Sequence, residues 1–338
     1  MVRTAKLNLA LLALVIAPPC LAGEGSFDTH FVESDSTGLN GKISAQPSQL
    51  NATRRAVSSR VGALAGWVDS FFNDPNFSDE EAQGRLELRQ QLKISKDSLA
   101  DFGTGLNGRL SLPNMSRRWN LIFEGNKNLA TEETDEKQSD EEPETSADRP
   151  SVGVEYFHDM KNELSTSISG GVRLDTPSVY IGPRYRVQAD LSEHWLGRFT
   201  QRIRWDTHDG WETISKLDFD RQLGRDKLFR QSFSAVWREH GQAGEEVRYT
   251  INSAVTQPLA EKTAIRYTWS SSYFTRPTVG WRSSVVSVSH RRLAWRDWAF
   301  LEIGPFLSWE DELDWEVNPG VRIALDVIFE QERSTSRP

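Results

Sequence analysis

From Gly84 onward, apolar and polar residues alternate one by one. Leu86, Leu88, Leu92 and Ile94 stand against Arg85, Glu87, Arg89, Gln91 and Lys93. Ile265, Tyr267, Trp269 and Tyr273 stand against Arg266, Thr268, Ser270 and Ser272, and Trp315, Val317, Val321, Ile323, Leu325, Val327 and Phe329 against Glu316, Asn318, Arg322 and Asp326. Successive side chains of a strand point to opposite faces, so each run predicts a strand with one apolar and one wet face. Such segments fall at 84–95, 103–113, 118–126, 150–160, 163–175, 179–192, 195–206, 211–223, 227–238, 245–257, 262–275, 279–291, 297–310 and 314–330. The expected fold is all-β: a closed antiparallel transmembrane barrel of about 14 strands, within a range of about 12 to 16. An even count returns the chain to the side it started from, as bacterial barrels require.

Upstream the period changes. Val57, Val61, Leu64, Val68 and Phe71 recur at helical spacing, with Arg60 and Asp69 among them, and predict an amphipathic helix over 55–72. Amphipathicity does not name the partner, so two placements stay open: beneath the barrel or inside its lumen. Residues 23–54, rich in Ser, Gly, Thr and Asn, show no sustained period and are expected to be flexible. Before them, Arg3 and Lys6 precede the apolar run Leu7 to Ala17, then Pro18-Pro19 and Cys20-Leu21-Ala22. That is the pattern of a secretory signal peptide cut after Ala22, too short to span a membrane as a helix. Pro19 makes lipidation of Cys20 a poor fit. Cys20 is the sole cysteine, so the cleaved chain would carry neither a disulfide nor a cysteine-bound metal. The expected organisation is a signal peptide over 1–22, a polar segment over 23–83, the barrel over 84–330 and a tail over 331–338.

Soluble barrels alternate too, and three features tilt the reading toward lipid. The polar face carries more charge than a packed soluble core could hold unpaired. Nine tryptophans (Trp119, Trp195, Trp205, Trp211, Trp237, Trp281, Trp298, Trp309 and Trp315) fall near strand ends, where an indole would meet the headgroup boundary. The last strand closes on the aromatic Phe329. A mean hydropathy of −0.55 does not count against this, because only alternate positions would face lipid. The net charge of −8 argues against a nucleic-acid partner. The expected surroundings are outer-membrane lipid and lipopolysaccharide, with both termini in the periplasm. The longest connection, 127–149, then falls on the outer side; with Glu132, Glu133, Asp135, Glu136, Asp140, Glu141, Glu142, Glu144 and Asp148 it is expected to be disordered.

Pro183, Pro305 and Pro319 lie inside predicted strands, where bulges beside Gly182, Gly304 and Gly320 are expected to accommodate them. Trp281 and Val286 break parity in 279–291 and require an irregularity there. The runs Trp67-Val68-Asp69-Ser70-Phe71-Phe72, Leu110-Ser111-Leu112-Pro113, Arg296-Asp297-Trp298 and Gly304-Pro305-Phe306-Leu307-Ser308-Trp309 resemble a group of gammaproteobacterial outer-membrane β-barrel proteins with no assigned activity. The resemblance spans about 66–329; its motifs are structural, so it implies the barrel and no catalysis.

Candidate chemistry is sparse. Ser287, Ser289 and His290 lie close in sequence, and His208 sits between Asp206 and Asp209, but neither group has the partners of a nucleophilic triad. The histidines show no metal-ligand spacing, and no cofactor is expected. The stronger signal is the inward face. Arg173, Arg184, Arg186, Arg198, Arg202 and Arg204 form a basic wall, continued by Arg230, Arg248, Arg266 and Arg282. Asp175, Asp190 and Asp206 are placed toward the outer ends, and Asp218, Asp220, Glu302, Glu310, Glu316 and Asp326 gather on other strands. Such charges could line a water-filled passage or simply pair and fill it. The leading expectation is a monomeric channel for passive diffusion of small hydrophilic or anionic solutes. A non-transporting scaffold barrel that docks a partner comes second, and a lipid-modifying enzyme third.

Overall fold

The computed structural model describes residues 61–69, 71–72, 84–98, 100–111, 118–125, 150–160, 164–175, 177–192, 194–224, 226–241, 244–295 and 298–330. The expected signal peptide, the stretch 23–54, the beginning of the helix at 55–60, the acidic connection 127–149 and the tail 331–338 lie outside them.

Alternation produces fourteen strands: β1 (Arg85–Ser95), β2 (Asp101–Ser111), β3 (Trp119–Glu124), β4 (Ser151–Met160), β5 (Leu164–Arg173), β6 (Ser178–Ser192), β7 (Trp195–Asp206), β8 (Gly210–Leu223), β9 (Lys227–Gly241), β10 (Gly244–Ala260), β11 (Thr263–Phe274), β12 (Gly280–Trp295), β13 (Ala299–Glu310) and β14 (Val317–Glu330). Each pairs antiparallel with its sequence neighbours, and β1 closes on β14 in one register from Arg85↔Glu330 to Ser95↔Gly320. Closure leaves no strand edge, which is how a sheet satisfies its backbone inside a membrane. Both barrel termini lie at one end, here the near end; the opposite rim is the far end.

The two faces separate cleanly. Ile168, Ile181, Ile203, Tyr267, Trp269, Val286, Ile303, Leu307, Ile323 and Leu325 are exposed on the outside. Trp205, Trp211 and Trp281 ring the far end, and Trp295 and Trp298 the near end. An apolar belt between aromatic girdles is the surface of a membrane-spanning barrel. Arg89, Arg173, Arg198, Arg291, Asp220 and Asp326 are buried on the inside. No helix among the described residues is long and apolar enough to cross a membrane, so the strands do the crossing.

Two irregularities differ in kind. The register shifts at Ser272/Tyr273: Ser272 pairs with Ser283 and Tyr273 with Trp281, leaving Arg282 as the extra residue. That insertion lets Trp281 and Val286 both face outward, as required. The prolines behave otherwise than expected. Pro183 pairs with Ile168, Pro305 with Val321 and Pro319 with Leu307, all without a register shift. The cost of Pro183 and Pro305 falls on the other flank, where pairing lapses between Ile181↔Trp205 and Arg184↔Arg202, and between Ser287↔Phe306 and His290↔Ile303. A missing N–H removes one ladder bond but not a place in the count, so the barrel closes over the gap without a bulge.

A helix occupies 61–69 and continues at 71–72. Its apolar stripe (Val61, Ala65, Val68, Phe71 and Phe72) forms one buried cluster with Leu196, Leu228 and Ala264. Those three share a face with Arg198, Arg230 and Arg266, at the near ends of β7, β9 and β11. The helix therefore lies inside the lumen at the near end.

Candidate functional site

The lumen wall is built from the inward positions of every strand, and its near half is organised around the helix. Asp69 leaves the helix's buried face and accepts from Arg198 at 3.0 Å and Arg230 at 2.6 Å. Asp220 on β8 accepts from the same two guanidiniums, at 2.7 Å from Arg230 Nε and also from Arg198. Two arginines and two aspartates thus close a four-membered ring, with one member supplied by the helix. Aromatic packing carries the contact across to the other wall: Phe71 meets Phe300 edge-on at 5.6 Å, and the Arg266 guanidinium lies 3.8 Å over the Phe72 ring.

A second ring follows on β1, β12, β13 and β14. Arg89 reaches Glu302 at 3.5 Å and Asp326 at 3.1 Å, while Arg291 reaches Glu302 at 3.1 Å and also Asp326. Arg291 stacks over Phe300 at 4.8 Å, so the second ring abuts the helix's aromatic contact. Again two guanidiniums meet two carboxylates. Buried ion pairs persist where hydrogen bonding recovers the desolvation cost, and each carboxylate here serves both arginines.

In the far half, like charges also meet across the ladder. Arg184 and Arg202 are direct partners across β6 and β7, cation opposite cation, with Arg186 and Arg204 on the same face. Glu124 at the end of β3 serves Arg204 at 2.9 Å and Arg202 at 3.7 Å. Arg204 stacks 4.3 Å over Tyr180, and Tyr180 lies across two glycines. A Cβ at Gly153 would fall 2.5 Å from the Tyr180 hydroxyl, and one at Gly171 would fall 2.8 Å from it. Arg238 joins Glu212 at 3.5 Å and Glu246 at 3.2 Å in this half, while Arg109 and Glu155 pair toward the near end, where Arg109 stands opposite Arg85. Arg248 stacks on Phe274 at 4.8 Å.

Most of the predicted wall is therefore in the lumen: Arg173, Arg184, Arg186, Arg198, Arg202, Arg204, Arg230, Arg248, Arg266, Glu302 and Asp326 all take inward positions. Three predicted positions move. Glu316 precedes β14 and bonds Lys96 at the far rim, its side chain 73% exposed, because the strand begins only at Val317. Arg282 is the inserted residue at the far rim and reaches Asp311 at 2.7 Å. Asp190 belongs to the near end, since β6 runs back toward the barrel termini.

The enzyme-like groups do not assemble. Ser287 and Ser289 face inward and are buried, whereas His290 pairs with Ile265 and Ile303 on the outward face. Period-two geometry forbids neighbours in a strand from sharing a face. Asp206 shapes a turn: it accepts the backbone N–H of His208 at 2.8 Å and of Asp209 at 3.1 Å, with Ser178 and Arg173 on its other oxygen. Among the described residues no group of His, Cys, Asp and Glu could hold a metal.

Sequence reading missed Asp69, Glu124, Glu155, Arg89 and Arg291 as members of the site. Asp69 carried a usable signal, as a lone carboxylate on the apolar stripe of an amphipathic helix. The others were ordinary polar positions whose partners lie on distant strands.

No protein-family model and no curated protein matches the chain. Among solved structures, a loop L8 deletion mutant of OmpT, an outer membrane protein of Vibrio cholerae, aligns at 10% identity and a TM-score of 0.44, covering 73% of this chain and 98% of that one. The outer membrane channel DcaP of Acinetobacter baumannii aligns at 8% identity and 0.42, covering 73% and 96%. The NanC porin aligns at 8% identity and 0.38, covering 72% and 98%. The architecture of this chain stands on its own strand ladder.

Proposed function

We propose that this chain is a monomeric channel of a Gram-negative outer membrane, passing small hydrophilic solutes with a preference for anions. Its termini lie in the periplasm, its far rim faces outward, and the resemblance to a gammaproteobacterial barrel group belongs to the same reading. The observation that carries it is the cation-opposite-cation pair Arg184 and Arg202, flanked by Arg186 and Arg204, on a wall that faces the lumen. Like charges directly across a ladder cost stability, so an arginine patch held at that cost suits attraction of anions more than fastening of strands. A low-dielectric barrel focuses the field of such a patch on whatever passes.

The helix sets the second half of the reading: with 61–72 in the near end, the resting passage is narrow. Planar-bilayer recording tests both parts. The full chain should give small, weakly anion-selective conductance, and deletion of 23–78 should raise it. Changing Arg184, Arg186, Arg202 and Arg204 together to Gln should move selectivity toward cations, and the preference should fade near 1 M salt, where the Debye length is about 3 Å.

A scaffold barrel is the second reading, favoured by the balanced ion pairs that fill the near half of the lumen. Silence before and after deletion of 23–78 would put it first. Catalysis gains no support from Ser287 and His290, which stand on opposite faces; a lipid-hydrolysis assay on the purified protein should read zero.

A further inference from the structure

The helix does more than fill space, because its contacts have the form of a bound ligand. One carboxylate, Asp69, is gripped by two guanidiniums at 2.6 and 3.0 Å. One face of apolar and aromatic groups beside it rests on Leu196, Leu228, Ala264 and Phe300, with the Phe72 ring under Arg266. The receiving wall is thus an arginine pair next to an apolar floor. Within the ring of four, Asp69 is one of two carboxylates that Arg198 and Arg230 share. A second carboxylate reaching this wall would meet the same two guanidiniums and so compete with Asp69 for them.

We infer that this wall is a binding site for a small amphipathic carboxylate, an acid with an apolar or aromatic body, occupied at rest by the protein's own helix as a self-ligand. Such a solute supplies in one molecule both groups that the helix supplies from Asp69 and Phe72. Its binding and the helix's departure are then linked, and the near end opens in response to the solute. Inorganic anions provide the charge without the apolar body, and neutral aromatic alcohols provide the body without the charge. The inference deepens the channel reading, but its readout does not require conduction.

The test uses the full-length protein in detergent with Ala65→Cys, a position 1% exposed within the cluster, in a Cys20→Ser background, and a bulky hydrophilic maleimide. Phenylacetate should accelerate labelling at least fivefold, while equimolar chloride and 2-phenylethanol should not. Asp69→Asn in the same background should label fast without any addition. Arg198→Gln with Arg230→Gln should remove the response to phenylacetate. Equal acceleration by chloride would mean screening alone and would overturn the site. Equal acceleration by 2-phenylethanol would mean loosening of the apolar contact and would overturn it as well, as would labelling indifferent to all three. Silent bilayers together with phenylacetate-driven labelling would sink the channel and leave the site standing.

Discussion

The near and far halves of the lumen set the same side chain among different neighbours. In the near half, Arg198 and Arg230 face Asp69 and Asp220, and Arg89 and Arg291 face Glu302 and Asp326, two against two each time. In the far half, Arg184 stands across from Arg202, and Glu124 divides itself between Arg202 and Arg204. In the first set acid and base alternate; in the second, two cations face each other across the ladder. An inventory of lumen arginines therefore says little until each is assigned its acid.

That contrast can be broken at four points, with decreasing effect. Asp326→Asn removes a carboxylate buried between Arg89 and Arg291, and should cost about 3–5 kcal/mol, because it strands charge in the interior. Unfolding in urea from detergent micelles, followed by tryptophan emission, measures it; selectivity in bilayers should stay as it was. A loss under about 1 kcal/mol would mean the near ring does not fasten the wall.

Gly153→Ala comes next. Its Cβ would sit 2.5 Å from the Tyr180 hydroxyl and 2.7 Å from the Gly170 carbonyl, so the tyrosine must lift from its glycine seat. Overpacking of this kind should cost about 1–3 kcal/mol by the same unfolding measurement, and it should disturb Arg204 through its stacking on Tyr180. Wild-type stability would show that Tyr180 moves without penalty.

Arg184→Gln should change stability by less than about 1 kcal/mol, because it relieves a like-charge pair, yet it should weaken the anion preference on its own. Reversal potentials under a potassium chloride gradient read the second effect. A stability loss as large as that of Asp326→Asn would place Arg184 among the fasteners and erase the distinction between the halves. The smallest effect belongs to Glu316→Gln. Its pair with Lys96 is exposed at the rim, so stability should stay within about 0.5 kcal/mol.

The structure answers unevenly to the sequence, and particular residues say why. All fourteen strands were legible, since a wall with lipid on one face must repeat every two residues, and that repeat survives in Leu86 to Ile94 as plainly as in Val317 to Phe329. The extra residue in β12 was legible as a parity break between Trp281 and Val286, though not its identity as Arg282. The prolines were misjudged, because sequence shows a missing donor but not which flank of the ladder will do without it.

What the sequence alone determined is the barrel: about fourteen strands, which side chains face out, and that charge faces in. These follow from local periodicity and from the medium on either side of a single strand. What only the tertiary structure decided is the use of that charge. Asp69 and Arg198 are separated by 129 positions and Arg89 and Asp326 by 237, and neither carries a mark of its partner. Closing a barrel brings distant strands to a common axis, and pairing across that axis depends on register, shear and the seat of the helix. Those are properties of the whole ring, so no window of residues contains them.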